Sequence, residues 1–122
     1  MKKFLIRTLL LLLVAVAGIA IYGYQQVAML DSESVTDDVS VLFGMGGNVA
    51  VLRTERGSVI VDTMTFRMQG ERIREEAERL TGREAVVVVN THYHGDHTHG
   101  NPGFPAGTRV VATKRTRELL DA

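Results

Sequence analysis

"AVVVVNTHYHGDHTHGN", residues 85–101, runs from an unbroken apolar stretch straight into a loop that holds all four histidines of the chain. The β-branched run at residues 85–90 shows no polar alternation, which predicts a short strand covered on both faces. His92 and His94 are two positions apart. In an extended segment leaving a strand, both imidazoles therefore project to one side and can grip a single ion. Asp96 and His97 follow Gly95, whose freedom at positive φ permits a sharp change of direction, so their side chains can address a second point nearby. One histidine alone is ordinarily a surface or satisfied core residue. Four of them interleaved with Tyr93, Gly95 and Asp96 behind an apolar strand are unlike a low-complexity storage tract, and the grouping points to metal chemistry. With no cysteine in the chain, any transition metal must be held by nitrogen and oxygen.

On the downstream side, Pro102, Gly103, Pro105 and Gly107 punctuate a turn, "RVVAT" (109–113) reads as a strand, and residues 114–121 read as the opening of a helix. Upstream, residues 68–81 place Ile73, Ala77 and Leu80 at i, i+4 and i+7 among Glu and Arg, with Gly82 as a stop, which predicts one amphipathic helix. Before that helix, "VSVLF" (39–43), "NVAVLRT" (48–54) and "SVIVD" (58–62) read as three strands, the first two separated by "GMGG". Residues 31–38, "DSESVTDD", are acidic and polar without an apolar period and read as a spacer. The expected organisation is thus a leader over residues 1–30, a spacer over 31–38 and an α+β domain over 39–122.

The leader supplies a compartment argument. "MKKFLIR" carries three positive charges, and no charged residue follows from Thr8 to Leu30. Residues 9–24 are strongly apolar, a length between a signal-peptide core and a full membrane span. "AVA" at 15–17 has the small-x-small form of a cleavage site, while the apolar run continues through Ile19, Ala20, Ile21 and Tyr22, which favours an uncleaved anchor. Positive residues stay on the cytoplasmic side, so either route exports the remainder: membrane-anchored outside the cytoplasm (periplasmic or extracellular), or secreted if the leader is cleaved. Formal net charge is zero, and without Lys2, Lys3 and Arg7 the balance is 11 basic against 14 acidic residues. No nucleic-acid partner is indicated by that balance.

"THYHGDH" (91–97) has the form H-x-H-x-D-H that marks the metallo-beta-lactamase superfamily of metal-dependent hydrolases, and the chain resembles that family. The resemblance extends upstream through "GNVAVLRTERGSVIVDT" (47–63), which looks like the family's hairpin ending in an aspartate, here Asp62, and it covers roughly residues 39–122. It implies half of an αβ/βα sandwich and a centre of two divalent ions, zinc. His92 and His94 would ligate the first ion, Asp96 and His97 the second, and Asp62 would stand behind them orienting the loop. A water activated between the ions would attack an ester, lactam, lactone or related small-molecule substrate, with Asp96 steering its proton as a catalytic residue. Taken by itself, Asp62 reads equally as a strand-end aspartate capping a turn. His99 departs from the family, standing where many members carry a small residue.

The same resemblance implies a third histidine for the first ion, a bridging aspartate and a further histidine, all from later in a chain. No histidine follows His99, and the downstream carboxylates, Glu118 and Asp121, lie in a charged helical stretch that reads as a solvated face. Two protein ligands for each ion fall short of the three of a catalytic zinc site. Residues 39–122 are therefore expected to be the N-terminal half of a longer enzyme, with the C-terminal half supplied in cis or in trans and the 122 residues alone inactive. The alternative expectation is a non-catalytic metal-binding membrane protein.

Overall fold

The β-branched segments and the amphipathic stretch assemble into one six-stranded sheet with a helix on one face; a computed structural model describes all residues 1–122. Helix α1 (Lys2–Ala28) leads into strands β1 (Leu30–Ser34), β2 (Val39–Gly44), β3 (Gly47–Thr54) and β4 (Gly57–Val61), then helix α2 (Arg67–Thr81) and β5 (Ala85–Asn90). A short helical turn α3 (Gly95–Thr98), a 3₁₀ turn over Asn101–Gly103, β6 (Arg109–Ala112) and α4 (Lys114–Leu120) complete the chain. The strands lie in sequence order, antiparallel from β1 to β4 and parallel from β4 through β5 to β6. The predicted β5 and α2 fall where the sequence pattern puts them, because the β-branched run and the 3.6-residue period are strong local signals.

Ile73 and Ala77 of α2 are fully buried and Leu80 half-buried, so the i, i+4, i+7 stripe is the packing face. It meets Leu42, Val49, Val51, Ile60 and Val88, one side chain from every second position of β2 to β5. Phe104 and Met64 close the core at the end where the loop connections gather. Gly82 ends the helix at φ 65°, a left-handed residue whose N–H returns to the Glu78 carbonyl. α4 begins at Thr113, whose side-chain oxygen accepts the Thr116 N–H at 3.1 Å.

One expectation changes. The spacer over residues 31–38 is not structureless: Leu30–Ser34 pairs with β2 as an edge strand, Asp31 opposite Phe43 and Glu33 opposite Val41. Its polar side chains face solvent, and such a strand is held by backbone pairing that composition does not display. On α2, the Arg79 guanidinium chiefly holds the Glu76 carboxyl below the usual carboxylate range, and Ser32 of β1 adds a smaller pull in the same direction. β5, by contrast, is covered by α2 on one face only, as expected of half a sandwich. On the other face, rows such as Val41, Ala50, Val61, Val89 and Val111, and Val39, Leu52, Val59 and Val87, remain partly exposed. No element of these 122 residues packs over them as α2 packs over Val88.

This asymmetry sets a stability contrast. Ile73→Ala deletes fully buried volume and is expected to cost about 3 kcal/mol, whereas Val87→Ala on the open face costs about 1 kcal/mol or less. Urea unfolding of the two variants, followed by circular dichroism, checks the ratio.

Candidate metal centre

Because β4 and β5 are parallel, their carboxyl ends finish at the same edge of the sheet, the edge outside which ligands of open α/β sheets bind. Asp62 is the residue after β4 and Thr91 the residue after β5. Asp62 and Met64 sit at φ 67° and 61°, a left-handed backbone that side-chain-bearing residues adopt at a cost of order 1–3 kcal/mol. Three backbone bonds hold the segment there: Asp62 N–H to Val89 O, Thr63 N–H to His97 O and Gly100 N–H to Met64 O. Gly100 admits no side chain, since a Cβ would lie 1.8 Å from Thr63 O, and a Cβ on Gly70 of α2 would lie 1.9 Å from Gly100 O. The histidine loop is thus wedged between the turn after β4 and the start of α2.

Asp62, 5% exposed, receives donors only. The Thr91 N–H reaches Oδ1 at 2.8 Å, and the Thr91 hydroxyl and His97 Nδ1 both reach Oδ2 at 2.8 Å. With its proton given to Asp62, the Thr91 hydroxyl oxygen accepts from His92 Nδ1 at 3.0 Å. The network therefore places a proton on Nδ1 of both rings, so that in the neutral imidazole the free lone pair sits on Nε2 of His92 and of His97, the tautomer a metal ligand needs.

The bare His92 Nε2 faces His94 Nδ1 across 3.1 Å, with the rings edge-on at 80°. His97 Nε2 lies 3.5 Å from Asp96 Oδ2, and the His92 and His97 ring centres are 4.0 Å apart. Ligands bound at 2.0–2.1 Å to a tetrahedral ion stand about 3.4 Å from one another, so both pairs have the spacing of neighbours on one ion. Two ring nitrogens turned toward each other need a proton or a cation between them. The residues present fit zinc as two pairs, His92 with His94 and Asp96 with His97. They do not make a closed site, because no three His, Asp or Glu side chains converge on one point.

All five residues singled out in the sequence meet here, and four further ones lacked an obvious sequence signal. Asn90 and Asn101, the two ends of the loop, exchange amide hydrogen bonds at 2.8 and 3.1 Å, and Asn90 also donates to His97 O at 3.0 Å. The Thr63 hydroxyl donates to Asn101 Oδ1 at 2.8 Å while its N–H donates to His97 O, and Thr91 couples Asp62 to His92. A polar residue closing an apolar strand was the one available hint for Asn90. Gly95 differs from expectation, since its φ is not positive. It opens the α3 turn, and its need is for space: a Cβ there would meet the His99 ring at 2.6 Å. His99 accordingly packs on Gly95. Glu118 and Asp121 pair with Lys114, Arg115 and Arg117 on the exposed face of α4, as read.

Fold and loop together define half of an α+β sandwich with a histidine-rich loop at the edge of its sheet. The sequence pattern of the metallo-beta-lactamase superfamily matches residues 42–119, well over half of the chain, and the chain belongs to that superfamily. Among solved structures it is similar to the metallo-beta-lactamase FIM-1 of Pseudomonas aeruginosa in its mono-zinc form, with 18% identity, TM-score 0.68, and 79% of this chain and 47% of that one covered. It is also similar to a metallo-beta-lactamase from Hirschia baltica, with 20% identity, TM-score 0.66, and coverage of 75% and 47%. A third similar structure is BJP-1, a subclass B3 metallo-beta-lactamase of Bradyrhizobium japonicum, with 26% identity, TM-score 0.63, and coverage of 79% and 38%. The matched part of the chain therefore spans less than half the length of each of these structures. None of the curated proteins matches the sequence.

The donor count at Asp62 yields a sharp expectation. Asparagine offers one acceptor oxygen and sets an NH₂ against a donor, so Asp62→Asn should cost about 1–3 kcal/mol and release the His97 tautomer. Imidazole ¹⁵N chemical shifts report this directly: the Nδ1–H form of His97 should predominate in the parent and give way to a mixture in the variant.

Proposed function

We propose that this chain is the metal-binding half of an exported zinc-dependent hydrolase acting on an ester, lactam, lactone or related small molecule. The observation that carries the reading is the Asp62 network, which leaves two imidazole nitrogens bare and aims them at partners spaced as ligands. His92 Nε2 with His94 Nδ1 would hold one ion and His97 Nε2 with Asp96 the other. When bound, such ions supply a water whose pKa is brought to about 7 and an electrophile for the substrate carbonyl. Asp62 keeps the proton on His97 Nδ1, and Thr91 keeps one on His92 Nδ1, so neither ring turns its N–H toward the ions. Asp96, about half solvent-facing, would take up a proton at the carboxylate oxygen not turned to the ion and pass it to water.

The remaining ligands would come from a C-terminal half in cis or in trans, whose sheet would lie over the half-exposed face of β2 to β6. Helix α1, 27 residues or about 40 Å long, is unburied throughout and apolar enough to cross a membrane. In the proposed arrangement it anchors the domain outside the cytoplasm through residues 9–24. The pairing of only two ligands per ion also favours a second reading, a metal-binding membrane protein without catalysis.

A zinc titration with a competing chromophoric chelator, run beside hydrolysis of an ester, a lactam and a lactone by the native membrane-derived protein, separates these. The hydrolase reading expects turnover that His94→Ala lowers at least about a hundredfold, in line with the removal of one ligand of a catalytic ion. Stoichiometric zinc binding without turnover in a native protein whose intact mass is 13.4 kDa would favour the binding protein instead.

A further inference from the structure

Gln69, on the first turn of α2, is fully buried, and no polar atom of it goes unused. Its Oε1 accepts the N–H groups of Thr65 and Phe66 at 3.1 Å, and its Nε2 donates to Val27 O at 3.2 Å and to Met45 O. One amide thus fastens together the last turn of α1, the turn between β2 and β3, and the entry to α2. The connection from α1 to the sheet is equally short: the helix ends at Ala28, and β1 starts at Leu30, whose side chain packs against the core. α1 therefore joins the domain as a rigid extension, without a loose tether.

Around this junction three large apolar side chains stand in solvent: Met29 at 56% exposure, Met45 at 55% and Phe66 at 48%. Their backbones lie at, or two residues from, the carbonyls and amide that Gln69 binds, so all three are gathered at the end of the domain where α1 enters. The apolar stretch of α1 closes at Tyr24, and the four residues Gln25 to Ala28 span about 6 Å at 1.5 Å each. An interfacial layer of a bilayer is about 5–8 Å thick on each side of the hydrocarbon. The spacing thus sets these side chains at headgroup depth.

We propose that Met29, Met45 and Phe66 form a lip that docks in the interfacial layer of the membrane and holds the domain against the lipid in one orientation. The inference rests on the reading of α1 as a retained anchor. It also sets the histidine loop at the membrane-facing end: Gly47, two residues beyond Met45, has its Cβ direction within 3.8 Å of Asp96 O. The opposite end of the sheet, at the Glu55–Arg56 turn between β3 and β4, would point away from the lipid.

The chain has no cysteine, so single labels are clean. The full chain is reconstituted in phosphatidylcholine–phosphatidylglycerol vesicles with a fluorophore at Met45→Cys, Phe66→Cys, Glu55→Cys or Leu12→Cys, and lipids carrying a nitroxide near the headgroup or deep in the acyl chain serve as quenchers. The lip predicts that the labels at 45 and 66 are quenched several-fold more strongly than that at 55 by the shallow nitroxide, with Leu12→Cys quenched by the deep one. Quenching at 12 with labels 45 and 66 no more quenched than 55 would overturn the lip while leaving the anchor standing. No quenching at 12 would show that the anchor reading, and the lip with it, is wrong.

Discussion

A buried carboxylate that meets donors only is the constraint on which the rest of this half-domain is arranged. Asp62 has no lysine or arginine beside it; its three bonds come from Thr91 N–H, the Thr91 hydroxyl and His97 Nδ1, all on the far side of the β4–β5 boundary. For that carboxylate to reach across, β4 and β5 must be parallel and in register, Ile60 opposite Val88 and Val61 opposite Val89. A parallel pair needs a crossover, which α2 supplies, and α2 must then lie on the sheet face that Ile60 and Val88 share. The left-handed backbone at Asp62 and Met64 is the local cost of turning that carboxylate inward, and the close packing of Gly100 against Thr63 and Gly70 keeps it from relaxing.

How much of this was legible in the sequence follows from the range of each interaction. β5 and α2 are written in local periodicities, so both appear where the pattern puts them. The pairing of His92 with His94 was legible too, because i and i+2 neighbours leaving a strand share a side. The edge strand β1 was not, since "LDSES" has neither β-branched residues nor alternation and owes its extension to hydrogen bonds from β2. Gly95 was misjudged for a similar reason: its small size answers to a ring four residues away, while its dihedral angles are those of an ordinary helical turn. The Asn90–Asn101 amide pair joins residues eleven apart, and Thr63 acts on a loop more than thirty residues further on. Such partners become visible once the fold has brought them together.

The open sheet face and the histidine loop are parts of one mechanical unit. β5 contributes Val88 to the core and Val87 and Val89 to the half-exposed side, and its last residue, Asn90, clamps the loop. Whatever covers Val87 and Val89 therefore also limits the motion of the strand from which His92 and His94 project. In these residues the loop is restrained from the α2 side by Gly70, Gly100 and Asp62 and is unrestrained from the other. A second layer of sheet would supply two things at once at the same edge: apolar cover, which stabilises at about 25 cal/mol for each Å² removed from water, and side chains able to complete each ligand pair. In the proposed function, the further ligands for each ion and the cover over Val87 and Val89 would thus come from the same side of the molecule.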